Sequence, residues 1–358
     1  MTTAKSSGSV AKKLRQIAWV FDLNKCIGCQ TCSVACKVLW TRDEGEQHQW
    51  WMSVNTMPGL GTPKNWQEMG GGIDPETGKP RPGHQPTREE FGGGFDFNYD
   101  EVFYGGTAGK AHLEPQGPRE NRWAMNWDED QGAGEWPNSY YFYLPRMCNH
   151  CTNAVCVDAC PTGALQKRPD DGLVLRDEEI CMGDRFCMEA CPYKKISFNY
   201  ERHVAQQCIG CFPRIEAGVA PACVRQCPGR AVFVGYLDDE EGPVHRLVEE
   251  WGIALPLLAE AGTGPNVYYV PPLAPSRLNE DMSIDYDTPR IPPEYLESLF
   301  GPAVHGALAK LKGEMETVRN GGSSEMLKTL IAYKWKELLG PFTVDPAELT
   351  PNGNGVGA

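Results

Sequence analysis

No apolar run in the 358 residues approaches the roughly 18 residues needed to span a bilayer. The best stretch, residues 253–261, is interrupted by Pro256 and Glu260, so a membrane-crossing chain is not expected. The first 25 residues contain Lys12, Lys13 and Arg15 but neither a paired-arginine signal nor an apolar segment followed by a cleavage site, so the chain is not expected to direct its own export. Excess positive charge is also lacking. The net charge is −13, and segments 38–145 and 231–358 together hold 17 basic and 36 acidic residues, which argues against nucleic acid or an anionic membrane surface as a partner. Equally absent are a nucleophile paired with a base, a phosphate-cradling glycine loop and a carboxylate pair, so no substrate chemistry is expected of this chain. Its 39 Gly and 29 Pro fall short of the proportion that signals low-complexity disorder, and 41% apolar content is enough for a packed core.

What is present is cysteine. Fifteen fall into four runs with none left over. The first reads Cys26-x2-Cys29-x2-Cys32-x3-Cys36, and the second Cys148-x2-Cys151-x4-Cys156-x3-Cys160-Pro161. The third, Cys181-x5-Cys187-x3-Cys191-Pro192, takes the first spacing if Asp184 stands where a second cysteine would be. The fourth is Cys208-x2-Cys211-x11-Cys223-x3-Cys227-Pro228. In bacterial ferredoxins such a run puts three thiolates around three irons of one cubane, while the fourth reaches a different cluster. Disulfides need an even count unless a thiol is free, and zinc typically takes two separated C-x2-C pairs for each tetrahedral site. Iron–sulfur ligation is the reading that uses all fifteen. A zinc-stapled structural protein is the alternative from a different class.

Exchange of fourth cysteines within pairs of runs closes the assignment. Between runs two and three, Leu165 and residues 173–175 flank Asp170-Asp171-Gly172 as strand, tight turn and strand, the hairpin that joins the halves of a small ferredoxin. Pairing two with three leaves one with four. Local spacing equally permits three with four, because residues 196–198 and Val204 predict a similar hairpin. Under the first pairing, Cys26, Cys29, Cys32 and Cys227 hold one [4Fe–4S] cluster. Cys36, Cys208, Cys211 and Cys223 hold a second, and Cys148, Cys151, Cys156 and Cys191 a third. The last site receives Cys160, Cys181 and Cys187, with Asp184 at its corner. Three thiolates favour a [3Fe–4S] cluster, since a carboxylate is a harder ligand than thiolate; the competing reading is a [4Fe–4S] cluster with Asp184 as fourth ligand.

The resulting fold class is α+β: two bacterial-ferredoxin-like two-cluster modules with a long irregular insertion and a C-terminal helical extension. Module A takes residues 1–37 and 200–240, and module B residues 148–199. The insertion, 38–147, contains seven of the ten tryptophans (Trp40, Trp50, Trp51, Trp66, Trp123, Trp127 and Trp136) among glycine runs, and is read as contacting a partner, against a covering role for its own clusters. The extension, 241–358, predicts helices near 293–313 and 324–339, and a tail at 350–358 that frays or threads along a partner. His150 is read as a turn residue or a hydrogen-bond donor to a cluster, not as a ligand. Lys25, Lys37, Arg185, Lys194, Arg214, Arg225 and Arg230 lie near ligands in sequence, where positive charge favours the reduced, more negative state of a cluster.

The four runs in this order, the long insertion, and the strings Cys26-Ile-Gly-Cys-Gln-Thr-Cys, Cys148-Asn-His-Cys and Cys191-Pro-Tyr-Lys-Lys resemble the iron–sulfur beta subunits of molybdenum oxidoreductases related to dimethyl sulfoxide reductase and nitrate reductase. Within that group the chain is similar to the soluble branch containing ethylbenzene dehydrogenase, C25 steroid dehydrogenase, dimethyl sulfide dehydrogenase and selenate reductase. Residues 20–26, Pro63-Lys-Asn-Trp66 and the glycines at 70–72 look most like the first two. Nitrate reductase beta subunits are similar too, but carry Trp at the position of Asp184. The resemblance implies a non-catalytic electron-transfer subunit between a molybdopterin-bearing catalytic alpha subunit and a haem b gamma subunit. It also implies the pairings one with four and two with three, a three-iron fourth cluster, and a periplasmic location by co-export with the catalytic subunit, against the cytoplasm for an unsignalled chain. The expected complex is a hydrocarbon- or steroid-hydroxylating dehydrogenase. The alternative is a nitrate-, selenate- or chlorate-type terminal reductase with the electron flow reversed.

Overall fold

The strand β1 (Ile17–Asp22) is buried along all six residues, and its first five form the unbroken apolar and aromatic run expected of a strand covered on both faces. It opens the described part of the computed structural model, which comprises residues 15–92 and 132–349. After the first cysteine loop come α1 (Thr31–Trp40) and β2 (Ser53–Met57), and β2 pairs antiparallel with β3 (Phe142–Arg146) over five residues. Segment 38–147 is therefore not irregular throughout. Its ladder joins strands almost ninety residues apart, which no local sequence period reveals.

The cysteine-bearing helices are short and alternate with hairpins. In order these are α2 (Val155–Asp158), β4 (Leu165–Lys167) paired with β5 (Val174–Arg176), α3 (Phe186–Ala190), β6 (Ile196–Asn199) paired with β7 (Val204–Gln207), α4 (Phe212–Glu216) and α5 (Ala222–Arg225). Both hairpins predicted by the sequence form, so hairpin formation alone does not choose between the two pairings. Among the helices, α1 packs on α5, and α2 packs on α3.

Beyond α5 the chain returns to β1. The strand β8 (Val232–Tyr236) pairs with it antiparallel, and β9 (Leu255–Pro256) and β10 (Val267–Val270) complete a four-stranded sheet of order β8-β1-β10-β9. Trp19 stands opposite Val234 on one side and Val267 on the other, with β1 and β10 parallel. Residues after 240 thus supply half of a central sheet and are not simply a helical extension. The run Val-Tyr-Tyr-Val of β10 has strong strand propensity, but it is too short to declare itself without its partner.

A small hairpin, β11 (Ser276–Leu278) with β12 (Ile284–Pro289), precedes three helices: α6 (Pro293–Phe300), α7 (Ala303–Arg319) and α8 (Glu325–Ile331). The single helix expected over 293–313 is broken at Gly301-Pro302, where Gly301 has φ 74° and a proline cannot continue the ladder of α6. The helix expected over 324–339 ends at Ala332, with φ 49°, and resumes as one 3₁₀ turn at Trp335–Leu338. Leu296, Leu299, Phe300, Val304, Leu311, Met326 and Leu330 are buried, and the Phe300 ring lies 5.8 Å from that of Tyr269 on β10, so these helices cover the sheet. Carbonyls at the end of α8 are capped by cations from the cysteine loops: Lys25 Nζ donates to Leu330 O at 2.7 Å, and Arg230 to Ala332 O and Tyr333 O. Among the described residues no helix is long and apolar enough to cross a membrane.

Four of the five described insertion tryptophans pack into their own chain. Trp51 and Trp66 are buried, Trp40 and Trp50 are half-buried, and Trp136 is exposed. Trp123, Trp127 and the tail at 350–358 lie outside the described residues.

Candidate iron–sulfur centres

All fifteen cysteines are free thiols. They are carried on loops with a shared backbone signature. The residue before the second ligand position is left-handed in every run: Gly28 (φ 66°), His150 (43°), Gly183 (75°) and Gly210 (64°). Gln30 (59°) and Arg185 (63°) repeat that conformation one residue after the position and serve as N-caps of α1 and α3. Asp184 therefore stands on the third loop where Cys29 stands on the first, and both side chains are exposed.

The folded loops bring the thiols into four groups. Cys26 and Cys32 interact with each other and with Cys29 and Cys227; burial first, then these neighbours, push Cys26 up to about 11 and Cys32 up to about 12. Cys36, Cys208, Cys211 and Cys223 form the second group, all raised above the ordinary thiol value because they are buried together. Cys148, Cys151, Cys156 and Cys191 form the third; burial, with Cys191 adding, pushes Cys148 up to about 12. Cys160, Cys181 and Cys187 share one cavity with Asp184 and Arg176. Burial, supported by Cys160 and Cys181 and opposed by Arg176, pushes Cys187 up to about 11. Burial also raises Cys160, but the Thr162 hydroxyl and the backbone N–H groups of Leu165, Thr162 and Ala164 outweigh it, so this thiol lies below its usual value.

The groups form a line. Cys32 of the first interacts with Cys36 and Cys223 of the second, Cys208 with Cys148 of the third, and Cys187 of the fourth with Cys156 and Cys191. Donors reach several sulfurs: Trp40 Nε1 to Cys211 Sγ at 3.1 Å, Gly210 N to Cys208 Sγ at 3.3 Å, and Ala231 N to Cys227 Sγ at 3.4 Å. The His150 side chain accepts from Val174 N–H through Nδ1 at 3.1 Å, which leaves its proton on Nε2, a buried atom with no partner among the described residues. Burial, reinforced by Lys167, lowers His150 to about 3 and keeps it neutral.

Sequence proximity identified Lys25, Lys37 and Lys194 but missed four other cations. Arg146 is buried against the Trp66 ring, 3.4 Å from its centre, and donates to Asn55 Oδ1, Thr62 O and Tyr193 O. Lys195 donates to Ser53 Oγ and Trp50 O, and its charge acts on Cys36 and Cys208 of one group and Cys148 of the next. Lys167 donates to Gln16 Oε1 and to the carbonyls of His150, Cys151 and Gly172, pinning the second loop. Arg176 faces the three-thiol cavity. Burial lowers Lys37 and Lys194 to about 8, Lys195 to about 7 and Arg146 to about 9.

Raised thiols and lowered amines so close together are the electrostatics of a site built around something that ionises the sulfurs. A bound metal deprotonates a coordinating thiol outright, and the resulting anionic assemblies would hold the cations in their charged state. Soft sulfur donors in sets of four, four, four and three, with no three His, Cys, Asp or Glu side chains among the described residues converging on a single-ion point, fit an iron–sulfur core as the shared occupant.

The fold and the sulfur-lined centres together define a ferredoxin-like protein of mixed α/β content that carries iron–sulfur clusters, and a family profile described as a 4Fe-4S dicluster domain matches residues 139–237. The chain is 50% identical to the selenate reductase subunit beta of Thauera selenatis over 328 residues, 91% of this chain and 99% of that one. It is 51% identical to the chlorate reductase subunit beta of Ideonella dechloratans over 330 residues (91% and 99%), and 49% identical to the dimethylsulfide dehydrogenase subunit beta of Rhodovulum sulfidophilum over 326 residues (90% and 98%). The chain belongs to the iron–sulfur beta subunits of the molybdenum oxidoreductases related to dimethyl sulfoxide reductase. It is a non-catalytic electron-transfer subunit, which sets aside the zinc-stapled scaffold.

Proposed function

We propose that the four thiol groups are the ligand sets of three [4Fe–4S] clusters and one [3Fe–4S] cluster. In this reading they conduct electrons through a two-module subunit of a terminal reductase, between a molybdenum catalytic alpha subunit and a haem b gamma subunit. The observation that carries it is the succession of charge interactions between neighbouring groups, first with second, second with third and third with fourth. When bound, the clusters accept and release single electrons. The cysteines fix the sites, the N–H donors of Trp40 and Gly210 stabilise charge on sulfur, and burial keeps water away from the second group.

Both ends of the line open onto exposed apolar side chains. Ile27, 63% exposed, and Val34 flank the first group, with Tyr141 nearby before β3. Ile180, Met182, 74% exposed, and Phe186 surround the fourth. Exposed apolar clusters of this kind suit partner surfaces. The first end would face the molybdenum subunit and the second the haem. The complex would be periplasmic, carried by its catalytic partner.

The names of the relatives favour reduction of an oxyanion over hydroxylation of a hydrocarbon or steroid, and so reverse the direction first expected from residues 20–26 and 63–72. The dimethylsulfide dehydrogenase relative keeps oxidation as the second reading. Purification with the catalytic partner, followed by assays of selenate, chlorate and nitrate reduction with a reduced viologen dye and of ethylbenzene and sterol oxidation with ferricenium, separates the two. Oxidation without any oxyanion reduction would overturn the reductase assignment. The same preparation should contain about fifteen iron atoms per chain; stoichiometric zinc with little iron would overturn the ligand sets.

A further inference from the structure

Arg176 closes β5 at the edge of the fourth thiol group. One of its terminal nitrogens, Nη1, donates to the Ala205 carbonyl on β7, which fixes the guanidinium between the two hairpins. The other, Nη2, is buried and has no hydrogen-bond partner among the described residues. The side chain lines the same cavity as Cys160, Cys181, Asp184 and Cys187. Its charge also acts on two neighbouring groups at once, favouring the thiolates of both Cys148 and Cys187. A buried guanidinium N–H with no acceptor is costly, and such groups in folded proteins find a partner. Whatever the three cysteines hold would lie in the cavity that this unpartnered N–H lines.

We propose that Arg176 supplies an N–H donor and a positive charge to the iron–sulfur group at Cys160, Cys181 and Cys187, and so sets that terminal site at a higher reduction potential than its ligands alone would give. The physical basis is direct: reduction adds negative charge, which a nearby cation stabilises, and hydrogen bonds to cluster sulfur act in the same direction. Because the charge of Arg176 also acts on Cys148, that site is raised too, by less, since Arg176 lines the cavity of the fourth group and not that of the third. The inference rests on reading these thiols as cluster ligands.

The test uses the intact complex with Arg176→Gln and Arg176→Lys, read by EPR-monitored redox titration and iron analysis. Glutamine keeps a donor for Ala205 and loses the charge, so the equilibrium constant for reducing the terminal cluster should fall at least tenfold, which is 59 mV for a one-electron couple. Lysine keeps the charge and should show a smaller fall. The Cys148 site should shift less than the terminal one, and the first group not at all. An unchanged terminal potential in the glutamine variant with its signal and iron intact would overturn the proposal, as would an equal shift at all four sites. Loss of iron from the terminal site alone in the glutamine variant, with retention in the lysine variant, would support it. Loss from every site in both variants would show a residue needed only for folding and would overturn it. Wild-type complex with no cluster signal at this site would instead remove the ligand reading itself, an outcome visible before any substitution is made.

Discussion

Asp184 occupies the backbone position that Cys29 occupies on the first loop, between left-handed Gly183 and Arg185, so one side chain separates the third loop from a complete ferredoxin run. Asp184→Cys should supply a soft thiolate at that corner, convert the site to a cubane and lower its potential through the added negative charge. Asp184→Ala should leave a three-iron cluster in place. EPR of the air-oxidised protein checks both, because an oxidised three-iron cluster is paramagnetic and an oxidised cubane is silent. A silent wild type whose alanine variant gains a signal would identify Asp184 as a true fourth ligand. At this scale the sequence was most legible where ligands recur at fixed spacing, and the gap at Asp184 could be read for the same reason. Arg146, Lys167, Arg176 and Lys195 were not. Arg146 stands on β3, which its distant pairing with β2 places, whereas Lys167 and Arg176 close the two strands of a local hairpin and Lys195 precedes β6; nothing in their local context distinguishes them from surface cations. The only hint was Lys195 beside Lys194, two consecutive lysines shortly after a ligand.

The cysteine loops depend on backbone that only glycine adopts without strain. A Cβ at Gly28, with φ 66°, would fall 2.5 Å from the Tyr143 ring on β3. Gly28→Ala should therefore incur the left-handed cost of about 1–2 kcal/mol and also displace the ring. Gly163 has nearly the same φ of 69° but nothing within 4 Å of the added atom, so Gly163→Ala is the matched control. Iron analysis of the purified complex should show loss of about four irons in the first variant and none in the second; equal iron content in both would contradict the role of the ring contact. The β4–β5 and β6–β7 hairpins were legible because each is closed by a short local turn. The β2–β3 ladder and the placement of β10 were not, since the first joins strands across the long insertion and the second joins β10 to β1 across all four cysteine runs.

For the whole molecule, buried thiols and buried amines are balanced only while something holds the sulfurs as thiolates. Stripping the iron with a chelator should lower the thermal midpoint sharply, and the iron-free chain should acquire a pH dependence that the loaded one lacks. Lys37, Lys194 and Lys195 have folded values of about 8, 8 and 7, below their ordinary 10.5. Above those values the unfolded chain binds more protons than the folded one, so iron-free stability should rise between about pH 7 and pH 8. From about pH 8.5, where unfolded thiols ionise, the raised thiols, Cys26, Cys32 and Cys148 among them, reverse the sign, because the folded state retains protons the unfolded state has lost. Calorimetry of the apo and loaded complexes across this range checks it, and a midpoint that falls between about pH 7 and pH 8 would reject it. The parallel register of Trp19 with Val267 carries a consequence for biosynthesis. A ribosome makes residue 19 long before residues 232 and 267, and every cysteine emerges in between, so the first strand leaves the exit tunnel with neither neighbour of its sheet yet made. Nascent chains arrested before residue 267 should accordingly remain open to protease around β1, and chains arrested well beyond it should be protected. The central sheet thus closes only after all fifteen cysteines have been synthesised, and the order of the chain keeps its first strand waiting for its last partner.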